Sequence, residues 1–286
     1  MTATNAASRN RATTPLPDTL RLGAGRLVRS EWIKLRSIRS TWWCSAVLVA
    51  VTIGTAVLVG AGSGSGSGIP QDLVNGLGVA KNTTAVPLAA LIVGVLGVLI
   101  ISGEYGTGQI RSTFVAAPRR TGVVFAKAAV LALTTFVVSA VATWVGVAAS
   151  TALEAGHGFH PDVADAEVVL PLVGASVYLT MIALLAFSIG LLVRSSAGGI
   201  AVTLGILLVL PVVLALVGDV LRAQWVADVS QFLPSAAGGQ LYHYDFADAS
   251  GQQGIVLDGW TGFAVLLAEV LVVGALALTV ARRRDV

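Results

Sequence analysis

The chain has 286 residues, 55% of them hydrophobic and only 12% charged, with a formal net charge of +3. Soluble domains carry about 25% charged residues. A chain this poor in charge cannot cover a water-facing surface of its size, so a soluble globular protein is excluded and an integral membrane protein is expected. The single cysteine, Cys44, excludes an internal disulfide, and at the head of an apolar run it reads as a small buried hydrophobe.

Residues 1–25 are polar and carry Pro15 and Pro17, which predicts a disordered tail. The first apolar run starts near Thr41 and is longer than a signal-peptide core of ~7–15 residues, so no cleavable signal is expected. Before it, residues 26–43 read RLVRSEWIKLRSIRSTWW. Val28, Trp32, Leu35 and Ile38 recur at helical spacing with basic residues between them. That predicts an interfacial helix over 26–41, anchored by Trp32, Lys34, Arg36, Arg39, Trp42 and Trp43 among lipid head groups. Arg29 and Arg36 intrude on the apolar stripe, and the same residues also serve as a plain topological anchor.

A helix needs ~20 mostly apolar residues to cross a ~30 Å hydrocarbon core. Six segments qualify: 42–60, 83–101, 123–149, 169–193, 197–217 and 260–281. Backbone groups in lipid must bond internally, so each is expected to be helical. Pro87, Pro171 and Pro211 fall near span ends or in an outer half, where a kink is cheap. Of the 18 basic residues, all but Lys81 and Arg222 fall on one side of this arrangement. That side is expected to be cytoplasmic. The fold class is therefore an all-α, six-span protein forming a single transmembrane domain over 26–286, with both termini in the cytoplasm.

The segment after span two, residues 102–120, reads SGEYGTGQIRSTFVAAPRR. Gly103, Gly106 and Gly108 predict an end to the helix, residues 110–117 a short helix, and Pro118 its close before Arg119 and Arg120. Two readings stand: a handle on which a soluble partner pushes, or a loop whose arginines only fix topology. On the other side, GSGSGSG at 62–68 is a flexible linker. GHGFHPD at 156–162 places His157 and His160 in a polar turn, a pattern that falls short of a metal site. The aromatic segment 218–259, with Trp225, Phe232, Tyr242, Tyr244 and Phe246, is expected to pack at the outer interface and to re-enter it. Beside Tyr242, His243 joins that cluster rather than acting as a base. Glu269 lies mid-way along span six, which makes it a candidate for a transport pathway. Thr261 or Thr279 could pair with it, and a protonated carboxyl bonded between helices is the alternative. Gly146 with Ser150, and Gly198–Gly199 with Gly205, offer small faces for packing within one chain or between two. A phosphate-binding loop needs Gly-Lys-Ser/Thr. Lys34, Lys81 and Lys127 are the only lysines and none follows a glycine, so no ATP hydrolysis by that route and no enzyme is expected in this chain.

These residues resemble the membrane-spanning permeases of ABC-2-type ATP-binding-cassette exporters in their six-helix form. The likeness rests on SEWIKLRSIRSTWW (30–43), the segment 102–120, LPSAAGGQL (233–241) and the terminal RRRDV (282–286). In the second of these Glu104, Tyr105, Gly108, Arg111, Pro118, Arg119 and Arg120 match, while Gln109 stands where Thr is usual. The resemblance implies a bacterial plasma-membrane exporter subunit. Its loop after span two would be a coupling helix seated on a cytoplasmic ATPase, with Glu104, Tyr105, Arg111, Pro118, Arg119 and Arg120 as coupling residues. ATP and magnesium would belong to that partner, and this chain would hold no cofactor. It further implies a second permease copy, a membrane environment and no nucleic acid. Two alternatives remain at this point: a non-transporting scaffold or immunity protein, and an ion-coupled carrier using Glu269. The transported substrate is not legible.

Overall fold

The structure, a computed structural model, describes residues 23–62, 68–106, 120–244 and 255–283. Among the described residues it is all helix and turn, with no strand. Helix α1 (Ala24–Ser37) stops at Ile38, whose backbone is extended (φ −85°, ψ 120°), and α2 (Arg39–Ala61) starts directly after it. The sequence pattern had run one helix to residue 41. The break comes earlier because two side chains take over the last carbonyls of α1. Ser37 Oγ donates to Lys34 O at 2.7 Å, and the Trp42 indole donates to Arg36 O at 2.8 Å.

Helices α3 (Gln71–Thr83) and α4 (Val86–Gly106) run almost end to end. The sequence reading had only the second of them, because Asn75, Asn82 and Lys81 make α3 look like a loop. Each finds a partner: Asn82 donates to Gly78 O and Ser150, Asn75 to Asp165, and Lys81 to Glu154. Nor does the helix end at Gly103, which lies inside α4; helix continues through Gly106. One glycine inside a helix costs only ~1 kcal/mol against alanine, too little to stop a helix already packed on its neighbours. The expected short helix at 110–117, with Arg111, Pro118 and Arg119, lies outside the described residues, as do residues 1–22.

Helix α5 (Arg120–Glu154) crosses next, followed by α6 (Ala166–Val193), capped at its start by Asp165, whose side chain accepts from Glu167 N–H. The fifth crossing has three parts: α7 (Ser196–Leu204), a π-helical turn at Gly205–Val209, and α8 (Leu210–Leu221). Pro211 lacks an N–H and crowds the preceding turn, which accounts for the widened π geometry just before it. Two short helices, α9 (Gln224–Ser230) and α10 (Pro234–Gly239), lead to the last crossing, α11 (Gly259–Arg283). Among the described residues, six helices are long and apolar enough to span a membrane.

Helices α4 and α6 form the centre. Ala183 and Ala186 are fully buried, and a Cβ on Gly97 of α4 would lie 2.3 Å from Ala183 O, so only glycine permits this approach. In its most apolar stretch α6 is 67% buried, whereas the fifth crossing is 11% and α11 17% buried. Those two helices stand at the periphery. Gly146 faces Ala56, Ser150 faces Gly60, and Gly199 faces Val98, so these positions serve packing within the chain, whereas Gly205 has open space beside it.

The aromatic segment does turn back into the bundle. Gly238 abuts Tyr178 and Leu266, and Ala237 is fully buried. Tyr178 lies roughly three turns into α6. A Cβ on Gly174 would collide with Leu241 O at 1.8 Å, so the segment sits in a groove that this glycine keeps open.

Candidate functional site

One helix contributes an acid and a base three residues apart. Glu31 and Lys34 share a face of α1, and Lys34 Nζ donates to Glu31 Oε1 at 2.8 Å. That face packs against α5. There Lys127, in the second turn, donates to Glu31 Oε2 at 2.6 Å and to Glu104 Oε1 at 2.8 Å. Glu104 sits in the last turn of α4, and Lys34 reaches it at 3.6 Å. Glu31, Lys127 and Glu104 are 3%, 5% and 7% exposed, while the Lys34 side chain is 41% exposed. Two carboxylates and two ammonium groups thus meet at the basic end of the bundle with no net charge. Charges this deep persist only when paired.

Burial works to raise the Glu31 pKa. Hydrogen bonds and charge from Lys127, then from Lys34, outweigh it and hold the carboxyl below the usual glutamate value. Burial likewise pulls Lys34 down, and its contacts with Glu31 and Glu104 push it above the usual lysine value. Both directions favour the charged cluster.

Glu104 and Lys127 stand on either side of residues 107–119 in the chain, so the pair joins the end of α4 to the start of α5, and α1 is tied to both through Lys34 and Glu31. Tyr105 follows Glu104, and the Arg194 guanidinium lies 5.3 Å from its ring centre. Arg194 takes a left-handed conformation (φ 59°) between α6 and α7. Beside it Ser102 and Ser196 share a 2.8 Å hydroxyl contact. The end of α4 is therefore tied to α1, to α5 and to the α6–α7 turn. Arg120 opens α5.

Sequence reasoning had selected Glu104 and Tyr105 as contacts for a soluble partner and Lys34 as a lipid anchor. The structure places Glu104 inside, held by two lysines, and Lys34 against Glu31. It missed Glu31 and Lys127. Their signal was present: Glu31 is the lone acid of a basic helix, and Lys127 stands seven residues into an apolar crossing. Of the apolar stripe on α1, Leu35 is buried against the bundle, and Val28, Trp32 and Ile38 are exposed, together with Arg36, Arg39, Trp42 and Trp43.

The opposite end carries a second network. Lys81 pairs with Glu154 at 3.0 Å and covers the Phe159 ring at 3.6 Å. Tyr244 donates to Asp72 at 2.7 Å, joining the re-entrant segment to α3. A cleft of about 260 Å³ lies between them, lined by Val79, Thr83, Pro87, Tyr242 and His243. His157 and His160 are exposed in their turn. Glu269 is only half-buried, and neither expected hydroxyl serves it: Thr261 bonds with Asp258, and Thr279 with Leu276 O.

The sequence profile of ABC-2 family transporter proteins matches residues 27–218, more than half of the chain. The chain belongs to that family. A search of curated proteins found no match. As an ABC-2-type permease it is a multi-pass membrane component of a transporter. The matched region of the permease starts within α1 and ends within α8, so it contains all four residues of the ion cluster.

Proposed function

We propose that this permease is the membrane-spanning half of an ATP-driven exporter in a bacterial plasma membrane, with its basic end in the cytoplasm. A separate ATPase engages residues 107–119, and two permease copies enclose the path. Glu31, Lys34, Glu104 and Lys127 are positioning residues in this scheme, and Arg111, Pro118, Arg119 and Arg120 meet the partner. The observation that carries the reading is the buried ion cluster. It joins α1 to the end of α4 and the start of α5, so a push on residues 107–119 reaches both helices together. A loop that only fixed topology would need no such bracing, because exposed arginines suffice for orientation.

The test is co-purification of the tagged permease with the ATPase. Arg111→Glu is expected to abolish it while insertion is unchanged. A cysteine at Thr113 is expected to resist impermeant thiol reagents in intact cells. Retention of the ATPase by Arg111→Glu, or labelling at Thr113 from outside, would overturn the reading.

A further inference from the structure

Glu269 lies 10 residues into α11, in its middle third, where a carboxyl group is expensive. The other acids on the crossing helices, Asp72, Glu104, Glu154, Glu167 and Asp219, stand near helix ends, among the described residues. Its Oε2 is buried with no hydrogen-bond partner among the described residues. Such an atom calls for an explanation.

One turn further along the same face is Val273. Val273 packs in a cluster with Met181, Leu184, Leu185 and Ile189 of α6 and with Ile206. Ile206 belongs to the π-helical turn of the fifth crossing, and such turns concentrate at functional positions. Glu269 therefore borders a seam where α11 and the fifth crossing both lean on α6. Those two crossings are the least buried of the six.

We propose that Glu269 is the charge-recognition residue of a lateral binding site for hydrophobic monovalent cations. The proposal rests on the exporter reading and names its substrate class. The side chains of the seam are aliphatic apart from Met181, whose flexible thioether can adapt its shape. They attract an apolar body but do not distinguish one from another. The unpaired carboxylate oxygen supplies the distinction. In a desolvated setting it favours a cation over an anion of the same shape, because opposite charge compensates its burial and like charge compounds it.

Tetraphenylphosphonium and tetraphenylborate are such a pair, alike in size and opposite in charge. Binding of each to the purified full-length permease, without the ATPase, is measured by equilibrium dialysis in detergent and corrected for micelle partition by competition with unlabelled ion. Saturable binding of tetraphenylphosphonium and none of tetraphenylborate is expected. Glu269→Gln, which keeps the shape, is expected to weaken the cation by at least about tenfold. Glu269→Asp, which keeps the charge, is expected to bind more tightly than Glu269→Gln. Equal binding of the two ions, or unchanged cation binding in Glu269→Gln with an unaltered size-exclusion profile, would overturn the proposal. Because no ATPase is present, these outcomes are independent of co-purification, which tests the exporter reading by itself.

Discussion

Lys127→Met removes the cation that two buried carboxylates share. Lys34 remains 2.8 Å from Glu31 and 3.6 Å from Glu104, but it is partly open to solvent and compensates incompletely. Each Lys127 contact represents ~6 kcal/mol of attraction at an effective dielectric of about 20. Desolvation of the three groups cancels most of that in the intact cluster. The variant leaves the cancelled penalty exposed, as two carboxylates with one screened partner. Breaking a buried pair costs about 3–5 kcal/mol, and Lys34 reduces this to ~2–4 kcal/mol. For a chain of this size the loss is a fall of roughly 5–15 °C in Tm. It is read by differential scanning fluorimetry in detergent at a fixed scan rate, because unfolding there is irreversible. The triple variant Glu31→Gln, Glu104→Gln, Lys127→Met removes the three buried charges, leaves only the partly exposed Lys34, and is expected to regain most of the loss. A single variant melting within ~2 °C of wild type, or a triple variant no better than the single, would refute the reasoning.

Gly174→Val forces a side chain into the Leu241 carbonyl and is expected to destabilise by about 1–3 kcal/mol. It should also raise the reactivity of a cysteine placed at His243, whereas Gly54→Ala, with nothing within 4 Å of its new Cβ, should leave Tm unchanged or slightly higher. The Glu31 carboxyl has a folded pKa below its unfolded value, so its contribution is present above the ordinary glutamate range of about 4.3 and is lost as pH falls through the folded pKa. Lys34 is raised, so its contribution is complete below about 10.4 and is lost as pH rises through its folded pKa. The Tm difference between wild type and Glu31→Gln is therefore expected to stay flat from about pH 5 to 9 and to shrink below about pH 4.5. A difference that changes between pH 6 and 8 would contradict this.

The crossings were legible because apolar length is a local property, written in consecutive residues. Helix α3 was not, because its stability comes from partners far away in sequence. Asn75 answers to Asp165, Asn82 to Ser150 and Lys81 to Glu154. The same reason hid Glu31 and Lys127, which are 96 residues apart and meet only once α1 has docked on α5. An apolar count ranks Trp32 above Glu31 for burial in the bundle, but the acid gains partners inside and the tryptophan stays exposed. The re-entrant segment was foreseen in kind from its aromatics. Its depth depends on Gly174 lying opposite Leu241, which composition does not reveal.

The chain order of the ion cluster bears on how the protein is made. Glu31 and Glu104 leave the ribosome before Lys127, so a nascent chain that has completed α4 carries two acids and only Lys34 to neutralise them. The contacts that hold α1 and the end of α4 are completed only when α5 docks and brings Lys127. A chain cut short before Lys127 would hold both acids of the cluster against one of its two lysines.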